Sequence, residues 1–134
     1  MGKAEHWQNY LTQMNEYAQF KLGDLVEAWR GHIDRLLREQ DSTLEDHSVW
    51  GAHDYAAALH LRDGVARGLN TLPDEGRFDA ISLVRSVDEI FMQFTEPDIA
   101  CLVVRFLATD ECRREWWWYR IPTRGPVRDE LQGG

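Results

Sequence analysis

Two histidines and one aspartate are the residues of the central apolar segment that could do chemistry. His53 and His60 are seven positions apart, and Asp63 follows three positions after His60, so a helix would place all three on one side. Imidazole and carboxylate groups in this arrangement could act as a general base or bind a metal. Seven helical residues rise by about 10.5 Å, which is too far for the two imidazoles to share one ion unaided. We therefore expect no metal site and no catalytic residue here.

The motifs that mark common enzyme sites are missing from the sequence. It has no His-Glu-x-x-His helix, no Glu-x-x-His pair of the di-iron type and no Gly-x-Ser-x-Gly elbow. Cys101 and Cys112 stand outside any redox or protease context. Gly64 and Gly68 do not form a dinucleotide fingerprint, and we interpret them as sites of close packing or local bending. The sequence favours a protein that is not an enzyme and that holds no cofactor.

The most unusual stretch of the chain is an aromatic run near its end. Its residues are Trp116, Trp117, Trp118, Tyr119 and Arg120. Regular helical periodicity cannot bury three consecutive indoles on one side, so at least one must point away from whatever the other two contact. Aromatic side chains and Arg are enriched in binding hot spots, and an exposed indole reduces solubility unless something covers it. We expect a protein partner or a second copy of the chain to bind there.

Carboxylates cluster at several places, and most clusters have a structural explanation. Asp24, Asp79 and Asp98 stand where helices should begin, and there the helix dipole favours a negative charge by about 0.3 to 1 kcal/mol. Capping explains the residues of one polar loop less well, and these are Asp41, Glu45 and Asp46. They could present an acidic surface to a basic partner.

Apolar residues recur every three or four positions in five consecutive segments, which predicts a mostly helical chain. The predicted helices cover residues 5–22, 25–40, 52–71, 79–94 and 97–108, and an irregular Trp-rich tail covers 109–134. Gly23 would close the first helix, and Asp24 with Glu27 would form the capping box of the second. The predicted fold is an all-α bundle of about five helices with the tail packed across it. The alternative is an α+β fold in which 99–107 and 115–121 pair as a hairpin, because Val103 and Val104 are β-branched.

Size and charge restrict the class of protein further. With 134 residues, 43% of them hydrophobic, the chain can bury a real core as a single domain, 1–134. A formal net charge of −8 repels the phosphate backbone, so we expect no nucleic-acid partner. The first residues lack the apolar segment of a signal peptide, and no run approaches the roughly 20 apolar residues of a membrane span. We expect a soluble, cytoplasmic protein without a membrane partner.

Two functions from different classes remain. The first is a non-enzymatic protein-binding or regulatory module, such as an inhibitor of a basic protein, by analogy with small acidic helical partners such as bacterial immunity proteins. The second is a small helical enzyme or ligand carrier with a pocket between the second, third and fourth helices. That pocket would be lined by Trp29, Tyr55, Phe91 and Phe94 and supplied with polar groups by His53, His60 and Asp63. The first is favoured, because no catalytic motif accompanies the aromatic run.

Overall fold

The computed structural model describes residues 7–15, 18–106 and 115–133. Within these ranges the chain is mostly helical, with five α-helices and two small antiparallel strand pairs. The helices are α1 (Leu22–Arg38), α2 (Ala52–Thr71), α3 (Asp74–Phe94), α4 (Leu102–Phe106) and α5 (Pro126–Leu131). The strands are β1 (Leu11–Asn15), β2 (Ala18–Lys21), β3 (Thr95–Pro97) and β4 (Arg120–Pro122). None of these helices is long and apolar enough to cross a bilayer.

Some predictions fall on residues outside the described ranges. These are residues 5–6 and 16–17 of the first predicted helix, the end of the fifth (107–108), and the beginning of the tail with Cys112 (109–114).

The three long helices meet around a cluster of aromatic rings. α1 packs against both α2 and α3, and Trp29, Tyr55 and Phe91 are almost completely buried between them. The ring of Phe91 lies 5.4 Å from that of Trp29 and 6.3 Å from that of Tyr55, distances at which aromatic pairs attract each other. The predicted helices 52–71 and 79–94 are confirmed. Asp79 does not cap the latter, because it lies inside α3.

α1 begins at Leu22, earlier than predicted. Leu22 is completely buried, and the residue before the helix is Lys21, which makes no side-chain capping bond. The predicted helix end at Gly23 and the capping box from Asp24 are therefore wrong, since both residues lie in the first turn of α1. The remainder of the predicted helix 25–40 is confirmed, with its last residues in a short 3-10 helix.

The first predicted helix, 5–22, is wrong over 11–15 and 18–21, which form an antiparallel pair of strands. β1 pairs with β2, with Thr12 opposite Phe20. Thr12 is 3% exposed whereas Leu11 is 57% exposed, so neighbouring side chains point to opposite sides, as in any strand. An apolar spacing of four fits this alternation as well as a helix, and packing against α2 decides between the two structures.

Gly64 and Gly68 give α2 a surface without side chains, against which β1 packs. A Cβ on Gly68 would come within 2.5 Å of Thr12 Oγ1, and a Cβ on Gly64 would overlap Met14. Arg67 also donates a hydrogen bond to the main-chain carbonyl of Met14 at 3.1 Å. The predicted close packing at the two glycines is confirmed, with a strand as the neighbour. These long-range contacts override the local helical pattern.

The segment after α3 begins with a strand, so the predicted helix 97–108 is wrong over its first residues. β3 pairs with β4, and Asp98 then turns the chain toward α4. The Asp98 carboxylate accepts a hydrogen bond from Val103 N at 2.8 Å, and the Asp98 N–H donates to the carbonyl of Tyr119 at 2.8 Å. The predicted capping role of Asp98 is confirmed, although the helix it caps starts later than predicted.

The alternative hairpin of 99–107 with 115–121 is wrong in its first arm, which contains a turn and α4. The observed pair uses β3 instead, where Pro97, which has no N–H, ends a short strand at the edge. The tail predicted as irregular is ordered in its described part. It contains a 3-10 helix, β4 and α5, and α5 starts with Pro126, a favoured residue for a first helical position.

Candidate functional site

The residues Trp116–Tyr119 form one turn of 3-10 helix, which sends the three indoles in different directions. Three residues complete a turn of such a helix, so successive side chains point about 120° apart. Trp117 and Trp118 are 2% and 0% exposed, whereas Trp116 is 41% exposed. The prediction that at least one indole points away from the other two is confirmed. Trp116 is the indole of this run that a partner can reach.

A single carboxylate on α2 binds both buried indoles. Trp117 Nε1 donates to Asp63 Oδ1 at 2.8 Å, and Trp118 Nε1 donates to the same oxygen at 2.9 Å. His60, one turn earlier, places its ring 4.8 Å from that of Trp118. Hydrogen bonds to a charged acceptor contribute about 1.5 to 3 kcal/mol each, so these contacts hold the 3-10 turn in place. The sequence suggested Asp63 and His60 for a ligand pocket, whereas the structure shows them holding the aromatic run.

A buried ion pair joins α2 to α3 next to these indoles. Arg62 donates to both oxygens of Asp88, from Nε at 2.9 Å and from Nη2 at 2.8 Å. Trp29 Nε1 donates to the same carboxylate at 3.0 Å, and the Arg62 guanidinium lies 4.1 Å from the ring centre of Trp117. Arg62 and Asp88 are 6% and 8% exposed. Removing either would leave an uncompensated charge in the interior.

Sequence reasoning missed this ion pair, although a signal was present. Arg62 lies three residues after Leu59 and three before Val65, so it occupies a position in the apolar stripe of α2. Asp88 likewise stands three residues before Phe91, on the core side of α3. Two opposite charges on the apolar sides of neighbouring helices predict a buried pair, because neither could be buried alone.

An open cleft of about 610 Å³ lies between α2 and α3 beside Trp116. Its apolar lining consists of Leu69, Ile81, Val84, Met92 and Trp116. Its charged lining consists of Arg62, Arg85, Asp88, Glu89 and Arg120. Met92 is 45% exposed and Trp116 is 41% exposed, so apolar surface remains uncovered at its edge. The combination of an apolar floor with a few charged groups is typical of a binding site.

Arg120 lies at one end of this cleft and connects β4 to the end of α3. Its Nε donates to Thr95 Oγ1 at 2.8 Å, and its Nη2 donates to the carbonyls of Thr95 and Met92 at 2.7 and 3.2 Å. All of these acceptors are neutral. Within the described part of the chain, the positive charge of Arg120 therefore has no carboxylate partner.

The acidic loop residues predicted to bind a basic partner are partly used inside the chain. Asp41 forms an ion pair with Arg124 at 3.0 Å. Asp46 accepts hydrogen bonds from Ser48 Oγ at 2.7 Å and from Ser48 N at 3.0 Å, and these bonds lower the pKa of the Asp46 carboxyl below its usual value. Glu45 is exposed. Of the three carboxylates, Glu45 has the most freedom to meet a partner.

The aromatic residues of the predicted pocket contact one another and form part of the core. Tyr55 donates its hydroxyl proton to the carbonyl of Arg120 at 2.7 Å, and burial raises the pKa of Tyr55 well above its usual value of 10.0. Phe94 lies 6.0 Å from Phe91, ring centre to ring centre. His53 is exposed and places its ring 4.8 Å from that of Phe106 on α4. The cleft beside Trp116 therefore has a different lining from the pocket predicted from the sequence.

Comparisons with known proteins give no further assignment. No family model matches the chain, and the curated proteins and solved structures likewise give no match. In the ranges that the structure describes, no group of three or more His, Cys, Asp and Glu side chains could hold a metal ion. The geometry of the cleft and of the aromatic run is therefore the guide to function.

Proposed function

We propose that the chain is a non-enzymatic protein-binding module, and that its binding surface is the cleft beside Trp116. The observation that carries the proposal is the unequal exposure of three adjacent indoles. Asp63 binds Trp117 and Trp118 in the interior and thereby fixes Trp116 at the edge of the cleft. A rigid aromatic side chain at the edge of a groove loses little conformational entropy on binding, which is why such residues are common hot spots.

The surroundings of Trp116 resemble the anatomy of a protein interface. Met92 lies beside it at the edge of the cleft, and Ile81 continues the apolar surface along α3. Phe78, one turn before Ile81, is 79% exposed. Aromatic residues, Met and Arg are enriched at interfaces, and charged groups are concentrated at the rim. The aromatic part of the predicted surface thus supports the proposal better than the acidic loop does.

The proposed module acts as one mostly helical domain in the cytoplasm. Its partner is either another protein or a second copy of the chain, and sedimentation at micromolar concentration separates these two cases. The helical-bundle description and the regulatory role, such as inhibition, belong to this proposal.

Site-specific photo-crosslinking in the native host tests the location of the surface. A photoreactive phenylalanine analogue replaces Glu89, which is exposed and lines the cleft, or Asp34, which is exposed on α1 and does not line it. We expect one discrete adduct from position 89 and none of the same mass from position 34. The same adducts from both positions, or none from either, would refute the proposal.

A small-ligand carrier is the second candidate, and the cleft volume is the observation that favours it. About 610 Å³ is within the range of roughly 300 to 1,000 Å³ that ligand sites occupy. Native mass spectrometry of the protein purified from its host distinguishes the candidates. A carrier would retain a stoichiometric small molecule that Trp116→Ala releases, whereas a protein-binding module would show the mass of the bare chain.

A further inference from the structure

The cleft beside Trp116 carries more positive than negative side chains, in a chain whose net charge is −8. Three arginines and two acidic residues line it. Arg62 and Asp88 neutralise each other through two hydrogen bonds of 2.9 and 2.8 Å. Arg85 and Arg120 then remain with one carboxylate, Glu89, so the open part of the cleft carries a net positive charge.

The two remaining arginines have no carboxylate partner in the described part of the chain. Arg85 is exposed and makes no ion pair or hydrogen bond with any described residue. Arg120 donates to neutral oxygens of Thr95 and Met92. A ligand with carboxylates would pair with both guanidinium groups, whereas a basic ligand would meet uncompensated positive charge.

The separation of the two arginines sets the spacing that two carboxylates of a ligand would need. Arg85 and Met92 are seven residues apart on α3, which corresponds to about 10.5 Å along the helix. Arg120 is hydrogen-bonded to the Met92 carbonyl at 3.2 Å and to Thr95 at 2.7 and 2.8 Å, so the residues that hold it follow Arg85 by seven to ten positions. Glu89 lies between them on the same helix and disfavours a carboxylate in the middle of the cleft.

We propose that the cleft binds an amphipathic helical segment of a partner protein with two acidic residues seven positions apart and apolar residues between them. Positions i and i+7 lie on one side of a helix, two turns apart, and match the separation between Arg85 and Met92, the nearer of the two residues that hold Arg120. Apolar residues at i+3 and i+4 then lie between the two arginines, over the apolar lining of the cleft, as in other helix-in-groove complexes. The inference rests on the proposed function and names its partner. It replaces the basic partner suggested by the acidic loop with an acidic segment.

Fluorescence anisotropy with two labelled helical peptides tests the inference on the full chain. The peptides share their apolar residues and carry either Glu or Lys at positions i and i+7. We expect the Glu peptide to bind at least about tenfold more tightly, which is about 1.4 kcal/mol. Arg85→Glu should remove this preference. Arg105→Glu, which changes an exposed arginine on α4 outside the cleft, should leave the preference unchanged.

Several results would overturn the inference, and they differ from failure of the proposed function. Equal binding of both peptides, or tighter binding of the Lys peptide, would show a groove without the proposed charge selectivity. Binding of neither peptide, together with a protein adduct from position 89, would agree with a protein-binding module. It would exclude an acidic helix as the partner. Displacement of the Glu peptide by micromolar decanoate would identify a small carboxylate as the occupant. A dimer that Arg85→Glu dissociates would identify a second copy.

Discussion

At the scale of single residues, the buried polar groups decide how the aromatic run is presented. Asp63 accepts hydrogen bonds from two indoles, and Asp88 accepts from Arg62 and Trp29. Asp63 is half-buried and Asp88 is buried, and each carboxylate replaces lost water with charge-assisted hydrogen bonds, which is the condition for burying a charge without a large penalty. Both buried indole N–H groups of the run donate to the one carboxylate of Asp63.

Asp63→Asn should destabilise the chain and loosen the Trp116–Tyr119 turn. The amide keeps one acceptor oxygen, loses the charge, and places an NH₂ group where Trp118 Nε1 now donates to Oδ2 at 3.1 Å. We expect the free energy of unfolding to fall by about 1 to 3 kcal/mol. Urea denaturation measures the loss, and near-ultraviolet circular dichroism reports the order of the indoles.

Asp34→Asn is the matched control, because Asp34 is exposed on α1. It should change the free energy of unfolding by no more than about 0.5 kcal/mol. Equal effects of the two substitutions would show that Asp63 does not hold the indoles.

The raised pKa of Tyr55 predicts a loss of stability in alkaline solution. Its pKa is raised well above 10.0 in the folded chain by burial and by the nearby Asp98 carboxylate, with Arg120 acting in the opposite direction. Above pH 10 the unfolded chain releases this proton and the folded chain keeps it, so the free energy of unfolding falls by about 1.4 kcal/mol per pH unit from this group. Tyr55→Phe lacks this contribution.

Urea unfolding of both proteins between pH 7 and pH 11 measures the difference. At pH 7, Tyr55→Phe should be less stable by about 1 kcal/mol, because it loses the hydrogen bond to the Arg120 carbonyl. The gap should close as the pH rises past 10.0, the usual tyrosine value. Parallel curves would contradict a raised pKa for Tyr55.

At the scale of secondary-structure elements, close approach determines what the N-terminal segment becomes. β1 packs on α2 where Gly64 and Gly68 have no side chains, and strand alternation buries Thr12 at that surface. A helix there would be wider than a strand and would not fit the same shallow surface. Gly64 and Gly68 of α2 thus favour an extended conformation for β1.

Gly68→Ala and Gly31→Ala test this effect with one type of substitution. Alanine favours a helix over glycine by about 1 kcal/mol, and a Cβ on Gly31 meets nothing within 4 Å. Gly31→Ala should therefore raise the free energy of unfolding by about 0.5 to 1 kcal/mol. A Cβ on Gly68 would come within 2.5 Å of Thr12 Oγ1 and 2.7 Å of Leu22 Cδ1, so Gly68→Ala should lower it by about 1 to 3 kcal/mol. Stabilisation by both would exclude tight packing of β1 on α2.

Local periodicity identified the long helices and could not identify the elements that depend on distant contacts. The helix 52–71 was predictable because its apolar face is continuous and its turn signals are strong. β1 and β3 were not, because each is defined by a partner strand or by glycines far away in the sequence. Composition singled out the aromatic run, whereas which indole is exposed depends on Asp63, 54 residues from Trp117.

At the scale of the whole molecule, the charge distribution separates the cleft from the rest of the chain. The net charge is −8, whereas the open part of the cleft contains Arg85 and Arg120 against Glu89. An acidic segment would be repelled at long range by the chain and attracted at short range by the cleft. Added salt should therefore change its association rate only modestly, because it screens both effects.

Quantitative affinity capture from the native host, with Trp116→Ala against Phe20→Ala, tests most directly whether the cleft beside Trp116 is the binding surface. Both residues are large, apolar and about half exposed, at 41% and 46%, and Phe20 lies on β2 outside the cleft. Near-ultraviolet circular dichroism and urea denaturation first establish that both variants fold. We predict that the protein crosslinked at position 89 is recovered at least about tenfold less with Trp116→Ala than with wild type, and equally with Phe20→Ala. Equal recovery with Trp116→Ala, or a loss confined to Phe20→Ala, would contradict a binding surface at the cleft.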